Sequence, residues 1–252
     1  MIKNPVTYFL NLIQENHASP NFWMSEEYIR LSELEWVEEN GHQGFKDDEG
    51  KWFFPPYNPT AQRFIWIPDS VVVGFQDDMC YDDRKFWDYE FIYDPKEFLN
   101  LSGGKWKVFR KNIKKHQDKP WEYKKIWGDE KREEVIELFL KWSEGKTLFD
   151  PETFTNFVLH GVHRFGLFMH GDLVGVNITD KNFKYINYRI CFDTGEEFLN
   201  EFLRWKFYTS DWVQRQDKLV NDGGSLGSDG LFRFKNKLRP IEIKDVYTGV
   251  EG

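Results

Sequence analysis

The run Asn221-Asp222-Gly223-Gly224-Ser225-Leu226-Gly227-Ser228-Asp229-Gly230-Leu231, followed by Lys235 and Pro240, gathers most of the groups in this chain that could do chemistry. Its spacing reads as a short strand over 218–221, a glycine-rich turn, and a helix over 230–238 that Pro240 stops. The first N–H groups of a helix have no partner within it, so Asp222 to Leu231 could hold an anion or a developing oxyanion. The bland counterpart is a turn whose glycines, Gly227 and Gly230 among them, serve only backbone geometry. Lys235 could meet a phosphate, a carboxylate or an acyl carbonyl, or stand solvated on its helix. Asp222, with Asn221 beside it, is the carboxylate placed to take a proton from an attacking group. Asp229 reads as a helix cap more than as a base.

Other candidates are weaker by spacing. Lys105, Lys107, Arg110, Lys111, Lys114 and Lys115 concentrate positive charge, with Trp106 and Phe109 interleaved. Such a cluster suits contact with tRNA, DNA or anionic-lipid phosphates, and equally suits a solvated helix face. Asn187, Tyr188 and Arg189 put polar groups on a strand, where burial is costly unless they are paired. They could orient a substrate or form a structural network. His160 and His163 have a spacing that could serve a metal, but no third ligand accompanies them, and no metal site is expected. Neither Cys80 nor Cys191 suggests a disulfide framework. No nucleophile-elbow signature is present, so a covalent intermediate is not required. Trp52-Phe53-Phe54 reads as core, whereas Trp121, Trp205 and Trp212 could stack on bases or rings.

These groups need a scaffold to position them. The chain has 252 residues and an 18% aromatic content, enough for a sizeable core and too apolar for wholesale disorder. Its net charge of −8 excludes a uniformly basic face. No apolar stretch approaches a membrane span, and no secretory signal is recognisable, so a soluble, cytoplasmic protein is expected. Helical spacing marks 7–14, the stretch after Ser25, 106–116, 130–144, the segment after Pro151, and 196–209. Asn40 to Lys51 reads as a polar loop, and Arg63–Ile67 with Val71–Phe75 as a hairpin. Phe91–Tyr93 reads as a short strand, and Lys96–Leu101 as a short helix. Further strands are expected over 121–127, 165–169, 173–178, 185–192 and 241–247. Pro120 is a plausible seam. The order describes an α+β chain with a mixed sheet flanked by helices.

Two motifs turn this order into a resemblance. Asp94 is followed by Gly103-Gly104-Lys105-Trp106-Lys107-Val108-Phe109-Arg110-Lys111-Asn112-Ile113, and later comes the Asn221–Pro240 run. Together they resemble the GNAT-related family that contains the C-terminal domain of phosphatidylglycerol lysyltransferases and its small stand-alone relatives. The resemblance spans residues 90–247, while the first 60 residues match nothing nameable. It implies a GNAT-like mixed sheet, arranged as two tandem GNAT-like lobes over 1–118 and 119–252. The implied activity is transfer of an acyl or aminoacyl group to an amine or hydroxyl. It also implies that Asn221, Asp222 and Lys235 do the chemistry. Lys105, Arg110, Asn112, Asn187, Arg189, Gly227, Asp229 and Gly230 would then contact substrate.

The chain departs from the family at Ser225, where an acidic residue is usual, and at Phe232, where a basic one is. The Arg/Gln-x-x-Gly-x-Gly/Ala loop that cradles the pyrophosphate of acetyl-CoA is missing, which disfavours ordinary acetylation. No tightly bound cofactor is expected; the donor would be an aminoacyl-tRNA or, less readily, an acyl-CoA. A lipid headgroup, a peptide or a modified nucleobase in DNA or RNA could be the acceptor. The rival reading is a catalytically silent module of the same fold that binds an aminoacyl or nucleic-acid ligand.

Overall fold

The computed structural model describes residues 2–16, 18–65, 84–146 and 151–249. Two helices open the chain, α1 (Pro5–Glu15) and α2 (Glu26–Leu31). Pro5 occupies the first turn of α1, where its missing N–H costs nothing, and the Asn4 side chain caps the Thr7 N–H at 3.1 Å. A small antiparallel sheet follows, of β1 (Glu35–Glu39), β2 (His42–Lys46), β3 (Tyr57–Asn58) and β4 (Arg63–Phe64).

Among the described residues the larger sheet has seven strands, in the order β11-β5-β10-β9-β8-β7-β6. They are β5 (Arg84–Tyr93), β6 (Trp121–Ile126), β7 (His163–Met169), β8 (Asp172–Lys181), β9 (Tyr185–Asp193), β10 (Leu219–Asn221) and β11 (Glu242–Gly249). Every neighbouring pair is antiparallel except β9 and β10. A parallel pair needs a crossover, here supplied by α6 (Leu199–Tyr208) and α7 (Asp211–Gln214). The remaining helices are α3 (Lys107–Gln117), α4 (Arg132–Ser143), α5 (Pro151–His160) and α8 (Asp229–Lys237).

Two cores lie on the two faces of this sheet. One joins α1, α2 and the small sheet to α4, α5 and the strand residues Val176, Ile178, Ile190 and Phe192. The other packs α3 and α6 against Phe91, Tyr93, Ile186, Tyr188 and Cys191. The switch of face between Tyr188 and Ile190 has a local cause. Thr179 pairs with Tyr188 and Ile178 with Ile190, leaving Arg189 as the extra residue of a β-bulge.

Several expectations need correction. The Asn40–Lys51 segment is not simply a loop: Asn40 (φ 51°) and Gly41 (φ 76°) make the tight turn between β1 and β2. Asn-Gly favours this turn because both central residues need positive φ. The hairpin expected from Arg63 onward contributes only β4, which pairs with Tyr57–Asn58, and its remainder falls on 66–83, outside the described residues. The short strand at Phe91 is ten residues long, because Asp88 and Glu90 interrupt an apolar pattern yet are buried. The helix expected over 96–101 is a 3-10 turn, Pro95–Phe98. β5, which precedes residue 118, lies between β10 and β11 in the larger sheet. Trp106 and Phe109 are core residues, 1% and 2% exposed, so they present no stacking surface among the lysines.

Phe9 tests whether the N-terminal layer belongs to the cooperative unit. It is fully buried, with its ring against Phe45, Phe54 and Phe64 at 5.4–5.7 Å. Phe9→Ala is expected to cost about 3–5 kcal/mol in chemical denaturation. A loss below about 1 kcal/mol would instead mean that this layer unfolds separately from the sheet.

Candidate active site

The site is built where the parallel pair comes apart. β10 pairs with β9 through Leu219–Tyr185, Val220–Ile186 and Asn221–Asn187. Beyond Asn221 the chain stays with β5: Asp222 N–H donates to the Phe91 carbonyl at 3.0 Å, and Phe91 N–H to the Gly223 carbonyl at 3.2 Å. β9 runs on to Asp193 with β8 on one edge and, among the described residues, no strand on the other. Such an edge leaves backbone N–H and C=O groups for something else to meet. A cavity of about 150 Å³ occupies the gap, walled by Tyr188 to Cys191, by Asp222 to Gly224, and by Phe22, Trp142, Arg204 and Lys235.

Arg189, at the bulge, is the most constrained charge in this wall. Its Nε and Nη2 donate to Asp180 Oδ2 at 3.0 and 2.8 Å, and Nη2 also to Ser25 Oγ at 2.9 Å. Ser25 in turn donates to the same carboxylate oxygen. Asn187 Nδ2 supplies Asp180 Oδ1 at 2.9 Å. The guanidinium stacks on Phe22 and Tyr28, at 4.3 and 4.9 Å from the ring centres. Its third nitrogen, Nη1, lies on the side of the fork away from Asp180 and has no hydrogen-bond partner among the described residues. An unfilled buried donor of this kind is uncommon.

A second buried cluster faces it. Asp222 Oδ2 accepts from Arg204 Nη1, and Oδ1 lies 3.4 Å from Lys235 Nζ. Lys235 Nζ also donates to the carbonyls of Asp222 and, at 2.7 Å, Gly224. Burial, only partly offset by Asp222, pushes the Lys235 ammonium below its ordinary range. The loop after β10 is clamped from below as well. Asp88 accepts from Ser225 Oγ at 2.8 Å and from Leu226 N–H at 2.6 Å. Gly224 passes so close that a Cβ there would lie 2.1 Å from Asp88 Oδ2. Glu90 accepts from Phe22 N–H at 2.6 Å and from Asn221 Nδ2 at 2.8 Å, which fixes the N-terminal segment over the gap. Burial pushes the Glu90 carboxyl up, against the pull of these two hydrogen bonds.

The residues singled out in the sequence therefore separate. Asp222, Lys235 and Arg189 reach the cavity, with Asn221 and Asn187 as register partners at the point of divergence. Gly227 lies in the exposed loop before α8, and Asp229 and Gly230 on its exposed first turn. There Ser228, not Asp229, is the cap and accepts from Leu231 N–H. Lys105, Arg110 and Asn112 belong to the α3 region. Lys105 pairs with Glu97 at 2.8 Å, Arg110 holds the carbonyls of Leu101 and Gly103, and Asn112 donates to Glu201 at 3.0 Å. His160 ends α5 and His163 begins β7, so they do not share a helical face. Among the described residues no cluster of three or more His, Cys, Asp or Glu could hold a metal ion. Arg204, Trp142, Asp180 and the Phe22–Ser25 segment were missed. An arginine inside the apolar Phe202-Leu203-Arg204-Trp205 run was the available signal for the first. Cys191 lines the cavity, but burial pushes its thiol up to about 12, so it is no nucleophile at neutral pH.

No family model matches the chain, and no curated protein matches it either. Solved structures do. A conserved protein of unknown function from Bacteroides thetaiotaomicron is 15% identical with a TM-score of 0.68, over 90% of this chain and 88% of that one. L-PGS from Bacillus licheniformis is 13% identical with a TM-score of 0.67, over 98% and 93%. A C-terminal domain from Agrobacterium fabrum, named for a lysylphosphatidylglycerol synthetase, is 11% identical with a TM-score of 0.60, over 98% and 93%. These likenesses show the fold: a mixed α+β sheet flanked by helices, shared with the proteins that the two motifs resemble. No helix among the described residues is long and apolar enough to cross a membrane.

Two measurements test this electrostatic arrangement. Asp222→Ala leaves the buried Arg204 and Lys235 without their carboxylate, and a loss of about 3–5 kcal/mol is expected in denaturant unfolding. A near-neutral effect would show that the two cations do not depend on it. Glu27 adds a pH signature. Burial first, then the charge of Asp180, pushes its carboxyl from 4.5 up to about 7. Between those values the folded chain keeps a proton that the unfolded chain has lost, so this group lowers stability as pH rises through the window. Glu27→Gln should flatten the decline between pH 5 and 8; identical slopes for the two proteins would refute the assignment.

Proposed function

We propose that the protein is an acyl- or aminoacyltransferase whose reacting carbonyl sits in the gap between β9 and the Asp222–Gly224 segment. One observation carries the reading: a cavity at a strand divergence that Arg189 helps to wall, its buried Nη1 without a hydrogen-bond partner among the described residues, beside a strand edge that is also unpaired among them. Donors fixed before reaction stabilise the charge that develops on a carbonyl oxygen under attack. Arg189 is fixed by Asp180, Ser25 and three aromatic rings, so it needs little reorganisation.

In this reading an acceptor amine or hydroxyl attacks the donor carbonyl and forms the new N–C or O–C bond. The ester bond to the donor breaks, and the departing oxygen takes up a proton. The acceptor's proton leaves to water, because both oxygens of Asp222 are committed to Arg204 and Lys235. Asp222, Lys235 and Asn221 act as positioning residues for the loop. The name of lysylphosphatidylglycerol synthetase, borne by a protein of this fold, agrees with aminoacyl transfer to a hydroxyl.

Charge around β9 bears on the donor. The connection from β9 into α6 carries Glu196 and Glu197, paired with Lys119 and Lys115 at 3.0 and 2.7 Å. Carboxylates at a helix N-terminus oppose the binding of a pyrophosphate, which favours an aminoacyl ester over acyl-CoA. Lys107, Lys111 and Lys114 are exposed on α3, form no ion pair among the described residues, and border a groove with Trp205. They would suit the phosphates of a tRNA donor. The acceptor we assign only as an amine or hydroxyl, on a lipid headgroup, a peptide or a modified nucleobase. The silent-module reading has one observation in its favour, the lack of an uncommitted carboxylate on the cavity wall among the described residues.

The test is intact-mass analysis of phosphatidylglycerol vesicles, peptides and nucleic-acid digests after incubation with charged tRNA or acetyl-CoA. An aminoacyl mass gain from tRNA is expected. Arg189→Lys, which keeps a cation beside Asp180 but removes Nη1, should slow transfer by about 10²–10³. Tight binding of charged tRNA with no mass gain on any acceptor would establish the silent module instead.

A further inference from the structure

Resting on the transferase reading, we infer that the cavity selects an uncharged, apolar or aromatic acyl side chain and rejects a cationic one such as lysyl. Three observations carry this. First, the wall between the charged groups is apolar, made of Phe22, Trp23, Trp142, Ile190, Leu226 and Leu231. Second, the carboxylate on the wall and those that hold the wall's residues are spent. Asp222 lies between Arg204 and Lys235, and Asp180 is filled by Ser25, Asn187 and Arg189. Glu90 and Asp88 accept from Phe22, Asn221, Ser225 and Leu226. Third, the volume of about 150 Å³ is the size of an apolar cavity that takes a benzene ring.

A side-chain ammonium entering this space, beyond the α-amine that all aminoacyl donors share, would leave water and find no free acceptor carboxylate among the described residues. It would also approach Arg189, Arg204 and Lys235, all of them buried. A charge without a partner in such surroundings is strongly disfavoured. A phenyl or branched aliphatic group meets none of these costs and gains by leaving water. Selection of this kind is a property of the wall itself, so it operates whether the group arrives on a tRNA ester or a thioester.

Stable donor mimics test the inference. Phenylalanyl, leucyl and lysyl amides of 3′-amino-3′-deoxyadenosine carry the three side chains on an unreactive linkage, and a dethia analogue of phenylacetyl-CoA presents the ring on the other donor. Calorimetry on the full chain is expected to give Kd values for phenylalanyl and leucyl amides at least about tenfold below that of the lysyl amide. Trp142→Ala, at the partly exposed end of α4, should weaken the phenylalanyl amide, and Leu231→Glu should strengthen the lysyl amide. A lysyl amide that binds wild type as tightly as the phenylalanyl amide overturns the inference and leaves the transferase reading standing. So does an unchanged phenylalanyl affinity in Trp142→Ala. Failure of all four mimics to bind the folded protein overturns the transferase reading and this inference together. Tighter binding of the CoA analogue supports apolar selection and overturns the ester donor.

Discussion

Three residues of parallel pairing decide the rest of this molecule. β9 and β10 share register only from Tyr185–Leu219 to Asn187–Asn221, after which the chain follows β5 and leaves the β9 edge open. In an otherwise antiparallel sheet that divergence cannot be filled by a neighbouring strand, because the crossover through α6 and α7 delivers only one short strand to this place. The opening must then be walled by side chains. Those that do it come from α4, α6, α8, the β10–α8 loop and the N-terminal segment, and buried polar contacts hold Arg204, Lys235, the loop and Phe22.

Holding the gap open consumes buried charge. Arg189–Asp180 and Arg204–Asp222 are both almost fully withdrawn from water, with Lys235 leaning on the second pair. Apolar residues of the same volume would stabilise the fold as well or better, since desolvation consumes much of what the ion pairs return. What the pairs supply is direction. Asp180 orients Arg189 through two donors, which aims the third nitrogen elsewhere, and Lys235, beside Asp222, fixes the carbonyls of a loop containing three glycines. Gly223 lies at φ +62° with a Cβ position 3.1 Å from Phe22, and Gly224 lies against Asp88. At Gly224 the loop's path leaves no room for a side chain, and at Gly223 the left-handed backbone strains any other residue.

The sequence made most of the second half legible, because periodic apolar spacing and proline or glycine punctuation agree there with the tertiary fold. α4, α5, β7 to β9 and α8 all lie where the pattern places them. The first half was harder for a physical reason: its charged residues are inside. Asp88 and Glu90 broke the alternation that would have revealed β5, and they did so because they bind a loop and a segment distant in sequence. The site divided in the same way. Asp222 and Lys235 were visible by motif and Arg189 by being polar on a strand, but their partners Arg204 and Asp180 lie in different elements. Spacing cannot report such pairs. The lysines around α3 stood out by composition, yet Lys105 and Lys115 turn out to be paired with glutamates and Trp106 with the core.

The N-terminal segment changes what the resemblance can be taken to mean. The motifs cover residues from about 90 onward, and they account for the loop and helix that frame one side of the cavity. The opposite side is built by Phe22 and Trp23, which no motif reaches, and Ser25 completes the hydrogen bonding of Arg189. Glu90 couples the two by accepting from Phe22 N–H on one oxygen and from Asn221 on the other. In the proposed reaction the part of the chain that carries the motifs frames where the carbonyl sits, and the segment outside the motifs frames what surrounds the group attached to it. Two proteins with the same divergence between β9 and β10 can therefore differ in the side chain they accept, because that choice rests on a segment outside the motifs they have in common.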